Sequence, residues 1–307
     1  MIKKVALLGA GAVGSYIIWG LTDLADIEFG IVAQGERAQR LRQTGVMIND
    51  RHFKVKVWSP QEARGADLLI VALKYGALSG ALETIKASVS DNTTVMSLMN
   101  GVDSEEIIAQ VVNPAQIVYS VIKVASHRKE SGVYFDPDTT IGIVMGEEHA
   151  PFDSARIRDI SQLFNQGGIH YRVTQYIREE MWSKFRLNVC NNLPQAILGA
   201  GVGCYRDSAH MKAISDGLRR ELEAVAAASG IDMTKAAESS KAGSPVQAGA
   251  RYSTLQDLDA GRHTEIDMFA GALMKMGKEL GIATPYCEYT YHMIKALEEK
   301  NDGLFDY

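Results

Sequence analysis

The sequence of 307 residues has few cysteines, no long hydrophobic run and no excess of basic residues, and each absence excludes a class of protein. Its three cysteines, Cys190, Cys204 and Cys287, are widely spaced and odd in number, which fits neither a disulfide framework nor a metal knuckle. The apolar run over residues 66–73 is broken by Asp67 and is far shorter than the roughly 20 residues that span a bilayer. We therefore expect a protein of a reducing compartment, the cytoplasm, with no membrane partner.

Positive and negative charges are nearly balanced along the chain. Lysine and arginine total 32 against 37 acidic residues, a formal net charge of −5, so there is neither the basic excess nor the dense basic stripe of a nucleic-acid binder. The histidines are scattered without the spacing of metal ligands, and we expect no metal site. With 46% hydrophobic and 22% charged residues the chain is expected to fold, and its length predicts two domains at roughly 150 residues each.

The strongest local signal lies within the first fifteen residues. A short apolar strand at 5–8 runs into a glycine-rich segment of the form G-x-G-x-x-G, which consists of Gly9, Ala10, Gly11, Ala12, Val13 and Gly14 and precedes a helical pattern. Gly9 permits a tight turn, Gly11 lets the backbone approach a pyrophosphate, and Gly14 lets the helix pack close to the sheet. In this strand–turn–helix context the glycine loop predicts binding of a dinucleotide at the start of a helix. The alternative is a glycine-rich turn that only packs a helix.

A second predicted strand, residues 29–33, ends where an acidic residue favours NAD and a basic residue favours NADP. Gln34 occupies this position, and Glu36, Arg37 and Arg40 follow it. Without a carboxylate at the strand tip a 2′-phosphate is not repelled, and either arginine can reach it. Glu36 turned inward would select NAD instead, and a solvated helix face is the remaining explanation of the arginines. The pattern favours NADP and leaves NAD open.

Two further apolar runs, 67–73 and 94–99, predict parallel strands that are buried on both faces. The first run ends at Lys74 and the second at Asn100. Because ligands bind at the carboxyl ends of strands in doubly wound sheets, we expect both side chains to lie beside the glycine loop. Ordinary loop polarity is the alternative. A hairpin-like pair of strands around 136–138 predicts an antiparallel extension of the sheet.

The pattern changes after Thr174, where strand-like runs stop and helical patterns continue to the last residue. Residues 212–229 and 262–280 predict long helices, each followed by a glycine. The sequence therefore predicts an α/β fold with two domains. Residues 1–174 form a dinucleotide-binding Rossmann-type sheet domain, and residues 175–307 form an all-helical domain that binds substrate and carries the catalysis.

A polar stripe runs through residues 179–192 of the helical part. Lys184, Asn188 and Asn192 are spaced at i, i+4 and i+8, beside an apolar face of the same helix. Asparagine is a poor helix former, so this cluster costs helix stability unless function offsets it. Amides hydrogen-bond an anionic carbonyl substrate, and the lysine can donate a proton to it. An exposed helix side is the alternative.

A second polar cluster lies at 262–267. Glu265 stands near the predicted start of a helix, where acidic residues are also ordinary partners of the helix dipole, so its position alone indicates either role. His263 is equally consistent with a packing role. Ser253, just upstream, is either a hydroxyl donor to a substrate carboxylate or a plain capping or surface serine.

Taken in order, these segments resemble ketopantoate reductase, the 2-dehydropantoate 2-reductase family. The resemblance extends from Val5 to Pro285 and rests on the glycine loop, Ala72-Leu73-Lys74, Asn100-Gly101, the spacing of Glu180, Trp182, Lys184, Asn188 and Asn192, and Ser253 followed by His263-Thr264-Glu265-Ile266-Asp267. That family reduces ketopantoate with NADPH to (R)-pantoate on the route to coenzyme A.

The resemblance implies a role for each candidate residue. Lys184 would be the general acid that protonates the developing alkoxide, and Glu265 would hold the substrate hydroxyl, in a cleft between the two domains. The implied substrate-binding residues are Asn100, Asn188, Asn192 and Ser253. The implied cofactor-binding residues are Gly9, Ala10, Gly11, Ala12, Val13, Gly14, Gln34, Arg37, Lys74, Asn100 and Ala125.

The chain also departs from the family pattern. Gln34 stands where an arginine is usual, which keeps NAD open as the cofactor. Ala250 replaces an amide of some members and the segment 199–203 lacks another, so the substrate is alternatively a different branched or aromatic 2-oxo acid. A non-catalytic NAD(P)-sensing protein is the alternative from another class. Apolar helices in the second domain are consistent with a homodimer.

Overall fold

In the computed structural model, which describes residues 1–129, 132–149, 151–236 and 247–305, the chain divides into two compact units. These are Met1–Ile177 and Arg178–Tyr307, so the division follows Ile177 rather than Thr174. The amide of Thr174 donates to the carbonyl of Met145 at 3.0 Å, and Ile177 lies against Gly146. The few residues after the last strand therefore belong to the sheet unit.

The first unit is built around a large sheet. The strands described in it are β1 (Lys4–Leu8), β2 (Glu28–Val32), β3 (Val46–Ile48), β4 (Arg51–Phe53), β5 (Lys56–Trp58), β6 (Leu68–Val71), β7 (Thr94–Ser97), β8 (Ile117–Lys123), β9 (His127–Lys129), β10 (Gly132–Tyr134), β11 (Gly142–Gly146) and β12 (Tyr171–Val173). The eight-stranded sheet has the order β12-β11-β8-β7-β6-β1-β2-β5, and a four-stranded sheet has the order β4-β3-β10-β9. From β8 to β5 every neighbouring pair in the large sheet is parallel.

Helices cover both faces of the large sheet. They are α1 (Ala12–Leu21), α2 (Gly35–Thr44), α3 (Pro60–Ala63), α4 (Leu78–Ser88), α5 (Ser104–Ile108) and α6 (Ala155–Gln166), with 3₁₀ turns at Tyr75–Ala77 and Pro114–Gln116. Successive side chains of a strand point to opposite faces, and in β1 Val5 and Leu7 enter one core layer while Ala6 and Leu8 enter the other. This explains why the central strands are continuous apolar runs in the sequence.

The predicted hairpin around 136–138 does not form. β11 extends the large sheet antiparallel to β8, as predicted, but β10 pairs with β9 and β3 in the small sheet. The reason is an anchor at Phe135, whose amide donates to Asn49 Oδ1 at 3.0 Å and whose ring packs edge-on against Tyr16 at 5.4 Å. Strands of three residues, such as β3, β4 and β9, are too short to carry a periodic signal.

All regular elements among the described residues of the second unit are helices, which confirms the predicted α/β fold class with a helical C-terminal part. Its elements are α7 (Ile177–Leu187, beginning at the last residue of the first unit), a π-helix (Asn188–Asn192), α8 (Leu193–Leu198), α9 (Cys204–Asp207), α10 (Ala209–Ala228), a 3₁₀ turn (Met233–Lys235), α11 (Ser253–Asp259), a second π-helix (Asp267–Gly271), α12 (Ala272–Leu280) and α13 (Pro285–Asn301). Among the described helices, none has the length and apolar character needed to cross a bilayer.

Candidate functional site

The glycine loop joins β1 to α1, and two of its glycines are required by packing. Gly9 has φ +116°, and a Cβ on it would lie 2.2 Å from the carbonyl oxygen of Ala72. A Cβ on Gly14 would lie 1.9 Å from the carbonyl oxygen of Gly9. Gly11, the N-cap of α1, differs: no described atom lies within 4 Å of the place its Cβ would take, and no side chain caps the helix. The backbone thus faces open space at a helix N-terminus, which fits a pyrophosphate.

The loops that carry the predicted cofactor residues lie at one edge of the large sheet. Neighbouring strands are joined by amide–carbonyl bonds of 2.8 Å, from Ala72 to Leu8 and from Leu98 to Val71. The strands β8, β7, β6, β1 and β2 are consecutive and parallel, so their carboxyl ends meet at this edge. The residues that follow these ends are Gly9 to Gly14, Gln34, Lys74, Asn100 and Ala125.

The tip of β2 carries a mixed charge. Gln34 is the exposed N-cap of α2, and Glu36, Arg37 and Arg40 are exposed on the first turns of that helix. Two cations and one anion leave a local charge of +1 at the position where the adenosine ribose of a dinucleotide binds in such sheets. A local charge of this sign does not repel a 2′-phosphate.

Two hydrogen-bonded links beneath this edge are absent from the sequence analysis. Tyr75 Oη donates to Asp103 Oδ2 at 2.6 Å, which ties the turn after Lys74 to the loop after Asn100. Below that loop, Ser97 Oγ and Ser104 Oγ are 2.8 Å apart. Neither link has a sequence signal, because each joins ordinary polar residues, 28 positions apart in the first link and 7 in the second, across a change of secondary structure.

The serine pair ends at a buried carboxyl group. Ser104 Oγ donates to Glu105 Oε2 at 2.8 Å, and Glu105 is only 1% exposed. Burial raises the pKa of Glu105 to about 7, the bond from Ser104 opposes this rise, and the nearby Asp103 and Glu106 add to it. The only hint in the sequence is an acidic residue at a helix start, which is usually exposed.

The buried Glu105 gives a pH-dependent stability. Because its folded-state pKa of about 7 lies above the usual value of 4.5, its contribution to folding is fully present below pH 4.5 and is lost as the pH rises through 7. Between pH 4.5 and 8 we expect the wild type to lose roughly 3 kcal/mol of unfolding free energy relative to Glu105→Gln. Urea denaturation across this range measures the difference. The variant Glu83→Gln, which removes an exposed carboxylate from α4, should follow the wild-type curve, and a wild-type curve parallel to that of Glu105→Gln would contradict the expectation.

The predicted polar stripe lies on a helix that changes type. Residues 188–192 form a π-helix between α7 and α8, so the prediction of one regular α-helix is wrong. Pro194 has no N–H and its ring crowds the carbonyl four residues before it, which disfavours a regular α-helix there. Lys184 is half-buried, and Asn188 and Asn192 are 9% and 3% exposed. The stripe is therefore no exposed helix side, and π-turns of this kind are frequent at functional sites.

The structure brings Asn192 and Ser253 together across 61 positions of sequence. Asn192 Nδ2 donates to Ser253 Oγ at 3.1 Å, and the amide of Thr254 donates to Asn192 Oδ1 at 3.2 Å. Gln195, which sequence reasoning missed, is fully buried and binds the carbonyl of Ala250 and the amide of Tyr252 at 2.9 and 2.8 Å. The available signal was a fourth side-chain amide on the same helical stretch, after Asn188, Asn191 and Asn192.

The family departures at 199–203 and Ala250 lie in one place. The amide of Gly203 donates to the carbonyl oxygen of Ala248 at 2.9 Å, and the amide of Val202 donates to the carbonyl oxygen of Ala250 at 3.0 Å. A Cβ on Gly201 would lie 2.3 Å from the Ala248 carbonyl oxygen. The two backbones pack directly on each other, which leaves no room for an amide side chain at Gly201.

Glu265 precedes a helix rather than lying inside one. The helix predicted over 262–280 begins only at Ile266, and 262–265 are non-helical because Thr264 bonds its amide and hydroxyl to Glu298 at 2.7 and 2.6 Å. The carbonyl of Glu265 accepts the amides of Met268 and Phe269, both at 3.1 Å, and its side chain is half-buried. The π-helix that follows contacts the π-helix of the polar stripe.

His263 lies at the surface, where its Nε2 is 2.9 Å from Asp302 Oδ2. Across the four described stretches of chain, no group of three His, Cys, Asp or Glu residues is arranged to hold a metal ion.

Comparison with known families and curated proteins gives a consistent match. The family model described as ketopantoate reductase PanE/ApbA matches residues 5–145, and the model of its C-terminal part matches residues 176–298. The chain is 26% identical over 300 residues to a 2-dehydropantoate 2-reductase of Archaeoglobus fulgidus, covering 97% of this chain and 98% of that protein. It is 26% identical over 304 residues to the enzyme of the same name from Pyrococcus horikoshii, covering 98% and 99%.

Solved structures share the fold over nearly the whole chain. A ketopantoate reductase from Ralstonia eutropha has a TM-score of 0.79 at 25% identity, covering 97% of this chain and 99% of that one. D-mandelate dehydrogenase, solved with NADH and anilino(oxo)acetate, has a TM-score of 0.82 at 21% identity with the same coverage. A dimeric ketopantoate reductase from Staphylococcus aureus has a TM-score of 0.73 at 18% identity, again with this coverage.

Proposed function

The chain belongs to the ketopantoate reductase family of oxidoreductases, and from this membership we propose that it reduces ketopantoate to (R)-pantoate with NADPH. One observation carries the proposal: a buried amide stripe, Asn188 and Asn192, continues from Lys184 and is hydrogen-bonded to Ser253. The hydrogen bonds of Asn192 to Ser253 and to the amide of Thr254 hold this buried polar stripe in place, and a polar, anionic substrate is a fitting ligand for it.

The mechanism assigns the chemistry to side chains of this chain. When bound, NADPH supplies the hydride that the C2 carbonyl of the substrate accepts. Lys184 donates a proton to the carbonyl oxygen as negative charge develops there, and the amide of Asn188 stabilises that charge. Glu265 accepts a hydrogen bond from the substrate hydroxyl, and Ser253 donates one to its carboxylate. These hydrogen bonds fix which carbonyl face is presented for reduction.

The cofactor is proposed to lie along the edge of the sheet described above. The glycine loop would hold the pyrophosphate, Arg37 would pair with the 2′-phosphate beside Gln34, and Lys74, Asn100 and Ala125 would line the site of the nicotinamide half. The net charge of −5 gives no general attraction for an anionic cofactor or substrate, so capture depends on these local cations and on helix N-termini.

A second candidate is a reductase of another branched or aromatic 2-oxo acid. It is favoured by the close backbone packing of Gly201 on Ala248, where an amide of some family members is missing. Loss of one polar partner removes a hydrogen bond that would discriminate in favour of the hydroxyl-bearing ketopantoate.

Steady-state kinetics separates these candidates. We expect kcat/KM to be higher for ketopantoate than for phenylglyoxylate, and higher with NADPH than with NADH, in a two-by-two comparison on the purified protein. A preference for phenylglyoxylate would select the second candidate, and a preference for NADH would overturn the cofactor assignment. NADPH binding without turnover of any 2-oxo acid would indicate a sensing protein instead.

We also propose a homodimer formed through the helical unit. Leu198, Ile214, Tyr286 and Tyr289 are exposed there and line a groove of about 470 Å³. Contiguous exposed apolar patches commonly mark interaction sites. Light scattering that returns the 33.5 kDa of a single chain would refute the dimer. The cytoplasmic location expected from the composition stays a prediction.

A further inference from the structure

One face of α13 carries three polar side chains that are hydrogen-bonded to each other or to the segment around Glu265. Tyr291, Lys295 and Glu298 recur at i, i+4 and i+7, the spacing of one helix face. We call these three residues the α13 clamp. None of them was a candidate in the sequence, because polar residues at this spacing on a C-terminal helix are typical of a solvated surface.

Glu298 holds the residue before Glu265. Its side chain is 2% exposed, and its Oε1 accepts both the amide and the hydroxyl of Thr264, at 2.7 and 2.6 Å. The Thr264 hydroxyl in turn accepts the amide of Ile266 at 3.2 Å. The backbone on both sides of Glu265 is thereby fastened to one buried carboxylate.

The other two clamp residues hold the chain just after Glu265. Tyr291 Oη donates to Asp267 Oδ1 at 2.7 Å, and Lys295 Nζ lies 3.4 Å from Asp267 Oδ2. Lys295 Nζ also lies 3.2 Å from Glu298 Oε2, so a single ammonium joins the two halves of the clamp. Both sides of Glu265 are therefore held from the same helix.

A gain in folding stability alone does not explain why a carboxylate and an ammonium are paired at this partly buried position. A buried ion pair is often no better for stability than apolar residues of similar volume, because desolvation offsets the attraction. The hydrogen bonds of a buried carboxylate do, however, fix the geometry of the groups that they join. Those of Glu298 hold Thr264, which lies in the non-helical turn that carries Glu265. We propose that Glu298 is a positioning residue for the reduction: it holds Glu265 where the substrate hydroxyl is bound.

This proposal rests on the proposed function, and Glu298→Ala tests it. Removing the carboxylate frees Thr264, and we expect kcat with ketopantoate and NADPH to fall by about 10- to 100-fold, as for small misplacements of a reacting group. Glu298→Gln keeps an oxygen for both Thr264 bonds and is expected to recover most of the rate. The exposed neighbour variant Glu299→Ala should behave as wild type, and all variants should bind NADPH as wild type does.

A double-mutant comparison distinguishes positioning from general stability. If Glu298 acts through Glu265, Glu298→Ala should change kcat by less than about twofold in a Glu265→Gln background, because residues that act as a unit are not additive. An equal loss in both backgrounds, or full activity of a folded Glu298→Ala protein, would overturn the proposal. If that variant does not fold, Lys295→Met is expected to lower kcat about fivefold through the same clamp, and unchanged kcat would overturn it.

The experiments also distinguish a failure of the proposed function from a failure of the positioning role of Glu298. Wild type that reduces no 2-oxo acid would refute the function, and with it the role of Glu298 in that reaction. Hydrogen exchange of the Thr264 and Ile266 amides needs no turnover, and faster exchange in Glu298→Ala is expected from the loss of their anchor. If the exchange rates of these two amides are the same in Glu298→Ala and wild type, Glu298 does not hold this turn in place.

Discussion

Lys184→Ala is expected to lower kcat for ketopantoate reduction by about 10²–10⁴-fold, the usual contribution of a positioned general acid or base. Lys184 is half-buried at the start of the stripe whose amides, Asn188 and Asn192, are almost fully buried. The proposed proton donor therefore lies in a partly water-excluded environment, where an electrostatic or proton-donating group has a larger effect than in bulk water. Rapid-mixing or steady-state measurement of NADPH oxidation gives the result directly.

Two further variants make this test specific. Lys184→Met keeps most of the apolar stem and should lose as much activity, since the proposed mechanism assigns the proton donation to the ammonium. Lys278→Ala removes an exposed lysine from the last turn of α12 and should leave kcat unchanged. A kcat near the wild-type value in Lys184→Ala would remove this lysine from the mechanism.

Gly14→Ala is expected to destabilise the nucleotide-binding unit and to abolish NADPH binding. The added methyl would lie 1.9 Å from the carbonyl oxygen of Gly9, a backbone atom that can yield only if α1 moves away from the sheet. Overpacking of this kind costs about 1–3 kcal/mol or more, and the same displacement distorts the phosphate cradle. Urea denaturation and a fluorescence titration with NADPH measure the two effects.

Two matched glycine variants separate the fold from the cofactor site. Gly80→Ala in α4 meets no described atom within 4 Å and should stabilise the chain by about 0.5–1 kcal/mol, as expected for glycine in a helix. Gly11→Ala also meets open space, so stability should hardly change, but the methyl would occupy the approach of the pyrophosphate. We expect the Kd for NADPH to rise about tenfold, or about 1.4 kcal/mol. Unchanged affinity would argue against a pyrophosphate over Gly11.

The fold of the sheet unit was largely predictable because its signals are local. A strand, a glycine loop and a helix follow one another within a short stretch, and the backbone close to Gly9 and Gly14 leaves no room for a side chain at either. The sequence favoured a functional, partly buried stripe at Asn188 and Asn192 and kept an exposed helix side as the alternative, because their spacing alone fits both. The change to a π-helix at these residues depends on Pro194 and the packing around it, which a periodicity of 3.6 residues does not detect.

The sequence by itself determined the α/β order of elements, the glycine loop and the residue types that carry the proposed chemistry, because these depend on neighbours a few positions apart. The tertiary structure alone decided that Asn192 meets Ser253 across 61 positions, that Glu298 meets Thr264 across 34, and that Glu105 is buried. Such pairings depend on how whole elements pack, and a carboxylate has the same sequence signature whether it faces water or lies beneath a loop. The physical environment of these groups, which sets their pKa and their hydrogen bonds, is a property of the packed chain.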